Sequence, residues 1–175
     1  MTQELRMAGR FIVRLLAGAA IGLVLGGSAL AADGPASGPD RAAVIATVQG
    51  LFDAMAARDA DKAASLLIDQ GTGLRLGRDA EGRPSLRRSE NRDFAMALNQ
   101  AEADYLERIW DAKVMVAGDI AVLWAPYDFH LNGEFHHCGI DLIQLFRIDG
   151  AWKIGNISWT DEGRNCPTSP LGPPE

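Results

Sequence analysis

Apolar residues recur at helical spacing in three segments of the first two thirds of the chain. Residues 41–59 carry a single apolar stripe, which predicts an amphipathic helix of about four turns with Asp40 as its N-cap. Asp61 is placed to cap a second, shorter helix over residues 62–68, and a third helix is predicted to begin at Asn91. The apolar positions that define the first and third helices are Val44, Val48, Leu51, Phe52 and Met55, and Phe94, Leu98, Ala101 and Tyr105.

The last third of the chain changes to the alternation of apolar and polar residues that is typical of β-strands. Turn signals at residues 117–119, 132–133 and 149–150 join its strands into an antiparallel meander. Residues 73–90 predict a short exposed strand or hairpin, whose arginines could meet an anionic ligand or could face solvent at a sheet edge. Helices followed by such a meander predict an α+β domain with the helices on one face of the sheet.

The two tight turns at residues 132–133 and 149–150 also predict the register of the last three strands, because a two-residue hairpin fixes its cross-strand pairs. The predicted pairs are Asp128 with His137, Trp124 with Asp141, Asp141 with Ser158, and Ile143 with Asn156. In this register both hairpins place the same residues of the middle strand on one face of the sheet. That face is apolar at one end and polar at the other. Such a gradient predicts a cavity whose floor is closed by the helices and whose mouth is open.

The polar end of this face supplies the candidate site residues. We interpret His137 and Asp141 as a general acid/base or ligand-orienting pair, since a buried carboxylate needs a partner or a function. The alternative is a satisfied polar patch at the mouth of a pocket. The residues predicted to contact a ligand beside them are Trp124, Asp128, His130, Asn156 and Ser158.

A metal site is the third possibility for the same face. His130, Asp128 and His137 would cluster there as two imidazoles and one carboxylate. Their spacing matches no familiar metal motif, and neither a phosphate-binding glycine loop nor a nucleophile elbow is present in the sequence. We therefore predict no metal and no cofactor.

The opposite face of the predicted sheet is strongly apolar. That much apolar surface predicts contact with a second subunit, giving a homodimer through the outer sheet face, or with the C-terminal tail. The residues assigned to it are Leu123, Tyr127, Phe129, Cys138, Ile140, Leu142, Ile157 and Trp159.

The N-terminus has the features of a secretory signal peptide. Three arginines precede an uncharged apolar run, and Ala29-Leu30-Ala31 offers small residues at a cleavage site after Ala31 or Ala32. An uncleaved membrane anchor is the alternative. The predicted organisation is a signal peptide over residues 1–31, a linker over 32–39, a domain over 40–161 and a tail over 162–175, in a periplasmic or secreted protein that has no membrane contact after cleavage.

Charge and cysteine content add two further expectations. The chain has a net charge of −6, and removal of the signal peptide would make it more negative, so nucleic acid is not an expected partner. Its two cysteines, Cys138 and Cys166, can form one disulfide in an oxidising compartment, or can remain free thiols.

Two regions of the chain resemble the nuclear transport factor 2-like (NTF2-like, or SnoaL-like) superfamily. Residues 44–67 are similar to its opening helix and the continuation of that helix. Residues 118–160 are similar to its closing strands, through the patterns His137-x-Gly139-x-Asp141 and Asp149-Gly150-x-Trp152-x-Ile154. The resemblance implies a cone-shaped fold, in which a curved antiparallel sheet packs against three N-terminal helices. Within the superfamily the chain looks most similar to bacterial members described as lumazine-binding.

The resemblance leaves several functions open, because this fold carries isomerases, dehydratases, cyclases and binding domains. A ketosteroid isomerase type of site needs a tyrosine in the cavity, but the predicted register places Tyr127 on the outer face. A dehydratase type of site could be imitated by His137 with Asp141 or Asp128. Our first hypothesis is an exported domain that binds a small, partly apolar molecule. The alternatives are an isomerase or dehydratase that uses His137 and Asp141, and a dimeric scaffold without a ligand.

Overall fold

The computed structural model describes residues 37–163 and 166–174. The predicted signal peptide over residues 1–31, and the predicted linker as far as residue 36, lie outside the described residues. Within the described ranges, none of the helices is long and apolar enough to cross a membrane.

In the described part of the chain, three helices and seven strands follow the predicted order of two helices, a hairpin, a third helix and a run of strands. The helices are α1 (Pro39–Ala57), α2 (Ala60–Leu66) and α3 (Asn91–Leu98). The strands are β1 (Leu67–Arg78), β2 (Pro84–Glu90), β3 (Tyr105–Ile109), β4 (Lys113–Ala117), β5 (Ile120–Leu131), β6 (Glu134–Ile148) and β7 (Ala151–Thr160). The predicted α+β class is confirmed.

The helix starts differ from the predicted ones by a few residues. Gly38, with a φ of 76°, is the N-cap of α1, so Asp40 lies in the first turn rather than at the cap. The N-cap of α2 is Asp59, not Asp61, because the Asp59 carboxylate accepts a hydrogen bond of 2.8 Å from the Lys62 backbone N–H. Both carboxylates that were predicted as caps therefore lie in the first turn, where they still interact favourably with the helix dipole.

The third helix is shorter than its apolar spacing predicts. It ends at Leu98, and Tyr105 begins β3 instead of closing a helical stripe. Residues 105–109 pair antiparallel with residues 127–131 of β5, so tertiary pairing overrides the local helical pattern there.

One mixed sheet contains all seven strands. Its order is β2-β1-β7-β6-β5-β3, and β4 also pairs with β5. All pairs are antiparallel except β1 with β7, which is parallel. A purely antiparallel sheet was expected, and this expectation was wrong for the pair of β1 and β7. These two strands run in the same direction, and the segments from β2 to β6 connect them along the chain.

The helices pack against one side of the sheet, which we call the inner face; the opposite side is the outer face. Core side chains from α1 and from the middle strands are fully buried between them, and each aliphatic side chain buried in this way contributes about 2 kcal/mol. The most deeply buried of them are Val44, Val48, Leu51, Leu123, Ile143, Leu145 and Ile154.

Two one-residue bulges shift the register that the turns set. Next to the first turn, Leu131 pairs with Glu134 as predicted, but His136 is an extra residue and Phe129 then pairs with His137. In the second hairpin, Gly155 is the extra residue. A one-residue shift moves every later side chain of that strand to the other face, so each bulge reverses the predicted face relations beyond it.

The end of the chain is tied to the outer face. Cys138 and Cys166 form a disulfide, as predicted, and Glu162 forms two backbone hydrogen bonds with Cys138. Further along, the Arg108 guanidinium donates a hydrogen bond of 3.0 Å to the backbone carbonyl of Gly172. Residues 166–174 therefore lie over the outer face.

Candidate functional site

A cavity of about 320 Å³ lies between the inner face of the sheet and the helices. Its walls are mainly apolar and aromatic, and its polar groups are concentrated in two places. The apolar lining consists of Leu51, Phe52 and Met55 from α1, Phe94 from α3, Phe129 from β5, and Ile157 and Trp159 from β7. A cavity of this size and lining can hold a small organic molecule.

Two carboxyl groups line the cavity, from Glu107 on β3 and Asp141 on β6, and we call the part of the wall that they form the inner end. Asp141 is 2% exposed, and its Oδ2 atom has no donor among the N–H and hydroxyl groups of the described residues. The group that it contacts is the carboxyl of Glu107, through a side-chain hydrogen bond. Two carboxyl groups can share a hydrogen bond only if one of them is protonated.

Burial determines which form these two acids take. Burial raises the pKa of Asp141 to about 7, although the hydrogen bond with Glu107 acts in the opposite direction. Burial, followed by the charge of Asp141 and the hydrogen bond to it, raises the pKa of Glu107 well above its usual range. At neutral pH the pair therefore holds one proton on Glu107 and titrates a second one at Asp141.

Tyr127 lies beside this acidic pair on the inner face. Its hydroxyl donates a hydrogen bond of 2.8 Å to the Thr160 carbonyl. Burial, and then the charges of Asp141 and Glu107, raise the pKa of Tyr127, so the phenol keeps its proton. The sequence predicted this residue on the outer face, which was wrong because the bulge at His136 reverses the relation between β5 and the far part of β6.

A second set of polar residues also lines the cavity, and we call the part of the wall that is formed by Arg75, His136, His137 and Asp161 the mouth. Arg75 on β1 forms an ion pair with Asp161, and His137 Nε2 lies 4.0 Å from Asp161 Oδ2. His136 Nδ1 and His137 Nδ1 are 2.7 Å apart, so one of these nitrogens donates to the other. Burial lowers the pKa of His137, with the Asp161 charge opposing it, and the ring is consequently neutral at pH 7.

Of the seven residues that were predicted to act on a ligand, the structure brings two into the cavity. His137 and Asp141 lie on the inner face and line the cavity, with His137 near the mouth and Asp141 near the inner end. Their shared face results from their spacing of four residues on one strand, which the bulge does not interrupt. Their roles in binding or catalysis stay predictions.

The other five lie on the outer face, because the bulges at His136 and Gly155 separate them from His137 and Asp141. Trp124 is 42% exposed there, and Asn156 and Ser158 line a shallow groove beside it. Asp128 and His130 are buried under the C-terminal tail, where the Arg108 guanidinium donates two hydrogen bonds to the Asp128 carboxylate. The register that placed these five residues on one face with His137 and Asp141 was therefore wrong, and their contacts with a ligand stay predictions.

The proposed metal cluster is separated by the same bulge. His130 and Asp128 face outwards and His137 inwards, so the three side chains do not converge. Within residues 37–163 and 166–174, no group of three or more His, Cys, Asp or Glu side chains is arranged to hold a metal ion.

The sequence reasoning missed Glu107, Arg75 and Asp161. Glu107 occupies the middle of the alternation Tyr105-x-Glu107-x-Ile109, in which a polar residue stands at an inward position. The apolar spacing predicts a helix that extends to Tyr105, and this prediction conceals the strand alternation of residues 105–109. Arg75 was noted as an arginine that could meet an anion, but its partner is the carboxylate of Asp161 on this chain.

Comparison with known proteins identifies the fold. No protein-family model matches the chain, and no curated protein matches it. Solved structures do match. An NTF2-like protein from Cytophaga hutchinsonii is 17% identical with a TM-score of 0.58, and the match covers 71% of this chain and 99% of that chain.

Two further structures show the same fold with other descriptions. A proposed dehydratase from the NTF2-like family of Streptomyces avermitilis is 17% identical with a TM-score of 0.55, covering 70% of this chain and 95% of that one. The β subunit of a proposed aromatic-ring-hydroxylating dioxygenase from Novosphingobium aromaticivorans is 15% identical with a TM-score of 0.59, covering 74% and 93%. The chain therefore has the NTF2-like fold that the resemblance predicted. None of these three is described as lumazine-binding, and that finer assignment stays a prediction.

Proposed function

We propose that this NTF2-like domain binds a small, partly apolar molecule in the cavity on the inner face of its sheet. The observation that carries the proposal is the cavity itself, which is lined by aromatic and aliphatic side chains and ends in a few polar groups. Apolar walls supply affinity through burial of ligand surface, and a few fixed polar groups orient the ligand. Glu107 and Asp141 take this role at the inner end, and His137 takes it near the mouth.

A pair of matched substitutions tests the location of the site. Ser89 lines the cavity, whereas Ser158 lies on the outer face. We expect Ser89→Trp to fill the cavity and to weaken binding of small aromatic compounds about tenfold or more, measured by isothermal titration calorimetry. Ser158→Trp adds the same bulk elsewhere and should change affinity less than about twofold. Loss of binding in Ser158→Trp alone would contradict the proposal.

A second candidate function is proton transfer in an isomerase or dehydratase type of reaction. One observation favours it: Asp141 has a pKa of about 7 in an apolar cavity, which suits a group that accepts and returns a proton. The neutral imidazole of His137 is a further acceptor near the mouth.

Deuterium exchange separates this candidate from simple binding. Bound carbonyl compounds with acidic α-protons would exchange them with D₂O, as followed by NMR spectroscopy, and Asp141→Asn should slow that exchange about a hundredfold or more. If a panel of such compounds binds but none of them exchanges its α-protons, the domain binds ligands without catalysing proton transfer.

The proposal also includes the cellular location of the protein. Disulfides persist in oxidising compartments, and the bond between Cys138 and Cys166 is therefore consistent with a periplasmic or secreted protein. N-terminal sequencing of the protein isolated from its own host should then find a first residue directly after Ala31 or Ala32. A mature protein that still begins at Met1 would contradict cleavage.

A further inference from the structure

We infer that the cavity selects a ligand with a positively charged amino group on an apolar body, and that Asp141 and Glu107 receive this group. The inference rests on the proposed function, because it names the chemical class of the ligand for the same cavity. Three observations support it: the buried carboxylate of Asp141, whose partner is a second acid rather than a cation, the charge balance of the cavity wall, and the apolar surroundings.

The first observation is the Asp141 Oδ2 atom. It belongs to a side chain that is 2% exposed and lines the cavity, and apart from the carboxyl of Glu107 no donor among the described residues reaches the Asp141 carboxylate. A buried acceptor without a donor costs about 1–3 kcal/mol, and more when it is charged. A ligand that places an N–H group at this atom removes that cost, and a ligand that places a second acceptor there increases it.

The second observation is that no cation on the cavity wall is free to neutralise these acids. Among the described lining residues, Arg75 is the single guanidinium, and it is committed to Asp161 at the mouth. The lining residues of α1 and α3 are uncharged. A carboxylate at the inner end thus has no protein counter-ion in the cavity, and an ammonium group is complementary to it.

The other titratable groups around Glu107 and Asp141 do not supply a positive charge that would neutralise these acids. Tyr127 keeps its proton, and His137 is neutral. His136 and His137 face each other at the mouth through one hydrogen bond. Asp128 acts on Glu107 from the outer side of the sheet, where the Arg108 guanidinium pairs with its carboxylate. Tyr127 and His137 therefore add no positive charge beside the pair, and the ionised form of Asp141 favours a cation there.

The third observation is the apolar surroundings. Phe52, Phe94, Phe129 and Trp159 contribute aromatic rings to the wall, and aromatic faces attract cations as well as apolar surface. When an ammonium group arrives, it donates N–H hydrogen bonds to the ionised carboxylate of Asp141, and the proton that Asp141 carries in part of the molecules at pH 7 is released to water, while Glu107 keeps its own proton. Binding should therefore release a proton and strengthen as the pH rises through about 7.

Three probes of matched shape test the inference: naphthylmethylamine, naphthylmethanol and naphthylacetate. By calorimetry at pH 7.5 we expect the amine to bind about tenfold or more tightly than the alcohol, and the carboxylate to bind most weakly. The amine affinity should rise about fivefold or more from pH 6 to pH 8, with proton release detected by repeating the titration in buffers of different ionisation enthalpy.

The variants Asp141→Asn and Glu107→Gln, each checked for folding by circular dichroism, should reduce the amine-to-alcohol affinity ratio by about fivefold or more. Two results would overturn the inference and leave the proposed function standing: an alcohol or carboxylate that binds as tightly as the amine, or an affinity ratio that both variants preserve. Absence of binding for all three probes would contradict the inference and the proposed function together.

Discussion

At the scale of single residues, Asp141 lies in an environment that differs strongly from that of a solvated carboxylate. It is buried among apolar groups, it contacts a second acid, and it lies in a cavity rather than in a packed core. Natural domains seldom bury an acid without a counter-ion unless the acid has a function. Burial of the Asp141 carboxylate therefore reduces the stability of the fold.

The stability cost of Asp141 should depend on pH. An acid whose pKa is raised from 3.8 to about 7 on folding destabilises the protein progressively as the pH rises between these values, because the unfolded chain loses its proton first. Asp141→Asn removes this effect. Urea unfolding should show that the stability of the variant relative to the parent protein increases by about 2 kcal/mol from pH 5 to pH 8. A difference that is the same at both pH values would show that Asp141 does not titrate in this range.

The sequence predicted part of the site at this scale, and the limit has a physical cause. His137 and Asp141 were correctly placed on one face because four residues of uninterrupted strand separate them. Trp124 and Ser158 were misplaced because each is related to Asp141 through a turn and a bulge, and one inserted residue reverses the face. A bulge at His136 leaves no mark in the hydrophobic pattern, since histidine is tolerated on either face.

At the scale of elements, the contact between β1 and β7 depends on two glycines and one buried asparagine. Asn91 donates hydrogen bonds to the carbonyl oxygens of Ile68 and Gly155, at 3.1 and 2.9 Å. These are places where the register of β1 and β7 is irregular and where backbone groups need other partners. Gly71 lies close to both Gly155 and Asn91, and because it has no side chain it does not obstruct these hydrogen bonds.

Gly71→Ala should therefore be strongly destabilising. A Cβ at this position would lie 1.7 Å from the Gly155 carbonyl oxygen and 2.3 Å from Asn91 Nδ2, so the backbone must move. We expect a loss of about 2 kcal/mol or more in the free energy of unfolding. Gly163→Ala is the control, since its Cβ would meet nothing within 4 Å, and it should change stability by less than about 0.5 kcal/mol. Equal effects of the two substitutions would contradict the described packing.

The disulfide is the second feature at this scale with a measurable consequence. It closes a loop of 28 residues between Cys138 and Cys166. In the chain-entropy description, Cys166→Ser should lower the free energy of unfolding by about 3 kcal/mol. A reducing agent should destabilise the parent protein by a similar amount and leave the variant unchanged. Equal sensitivity of both proteins to reduction would show that the bond does not form in solution.

Element types were largely predictable from the sequence, and their pairing was less so. Helical stripes and turn dipeptides are local signals, and they correctly indicated α1, the β5–β6 and β6–β7 turns and the β1–β2 hairpin. The parallel contact between β1 and β7 joins residues more than eighty positions apart, for instance Thr72 with Asn156. No local pattern encodes such a contact, so the mixed sheet could not be predicted in this way.

At the scale of the whole molecule, the outer face still exposes apolar side chains near β4. Met115, Ile120, Trp124 and Leu142 are between 42% and 57% exposed, and they lie on neighbouring strands. Surface of this kind often marks a contact with another protein. We propose that a second copy of the chain covers it, as the sequence predicted for the outer sheet face, although several of the residues assigned to that face line the cavity instead.

Light scattering coupled to size-exclusion chromatography tests the dimer. The parent protein should have twice the mass of one chain, and Leu142→Arg should shift it to a monomer because two charges would be buried across the two-fold contact. Met96→Arg changes another exposed apolar residue, on α3 and away from this surface, and should leave the dimer intact. A monomeric parent protein would contradict the proposal.

Native mass spectrometry of the protein isolated from its own host tests most directly whether the inner cavity is the functional site. We expect the parent protein to retain a small molecule that denaturation releases. Ser158→Trp, on the outer face, should retain the same mass, and Ser89→Trp, in the cavity, should lose it. A retained molecule that persists in Ser89→Trp and disappears in Ser158→Trp would place the site on the outer face and contradict the function proposed for this domain.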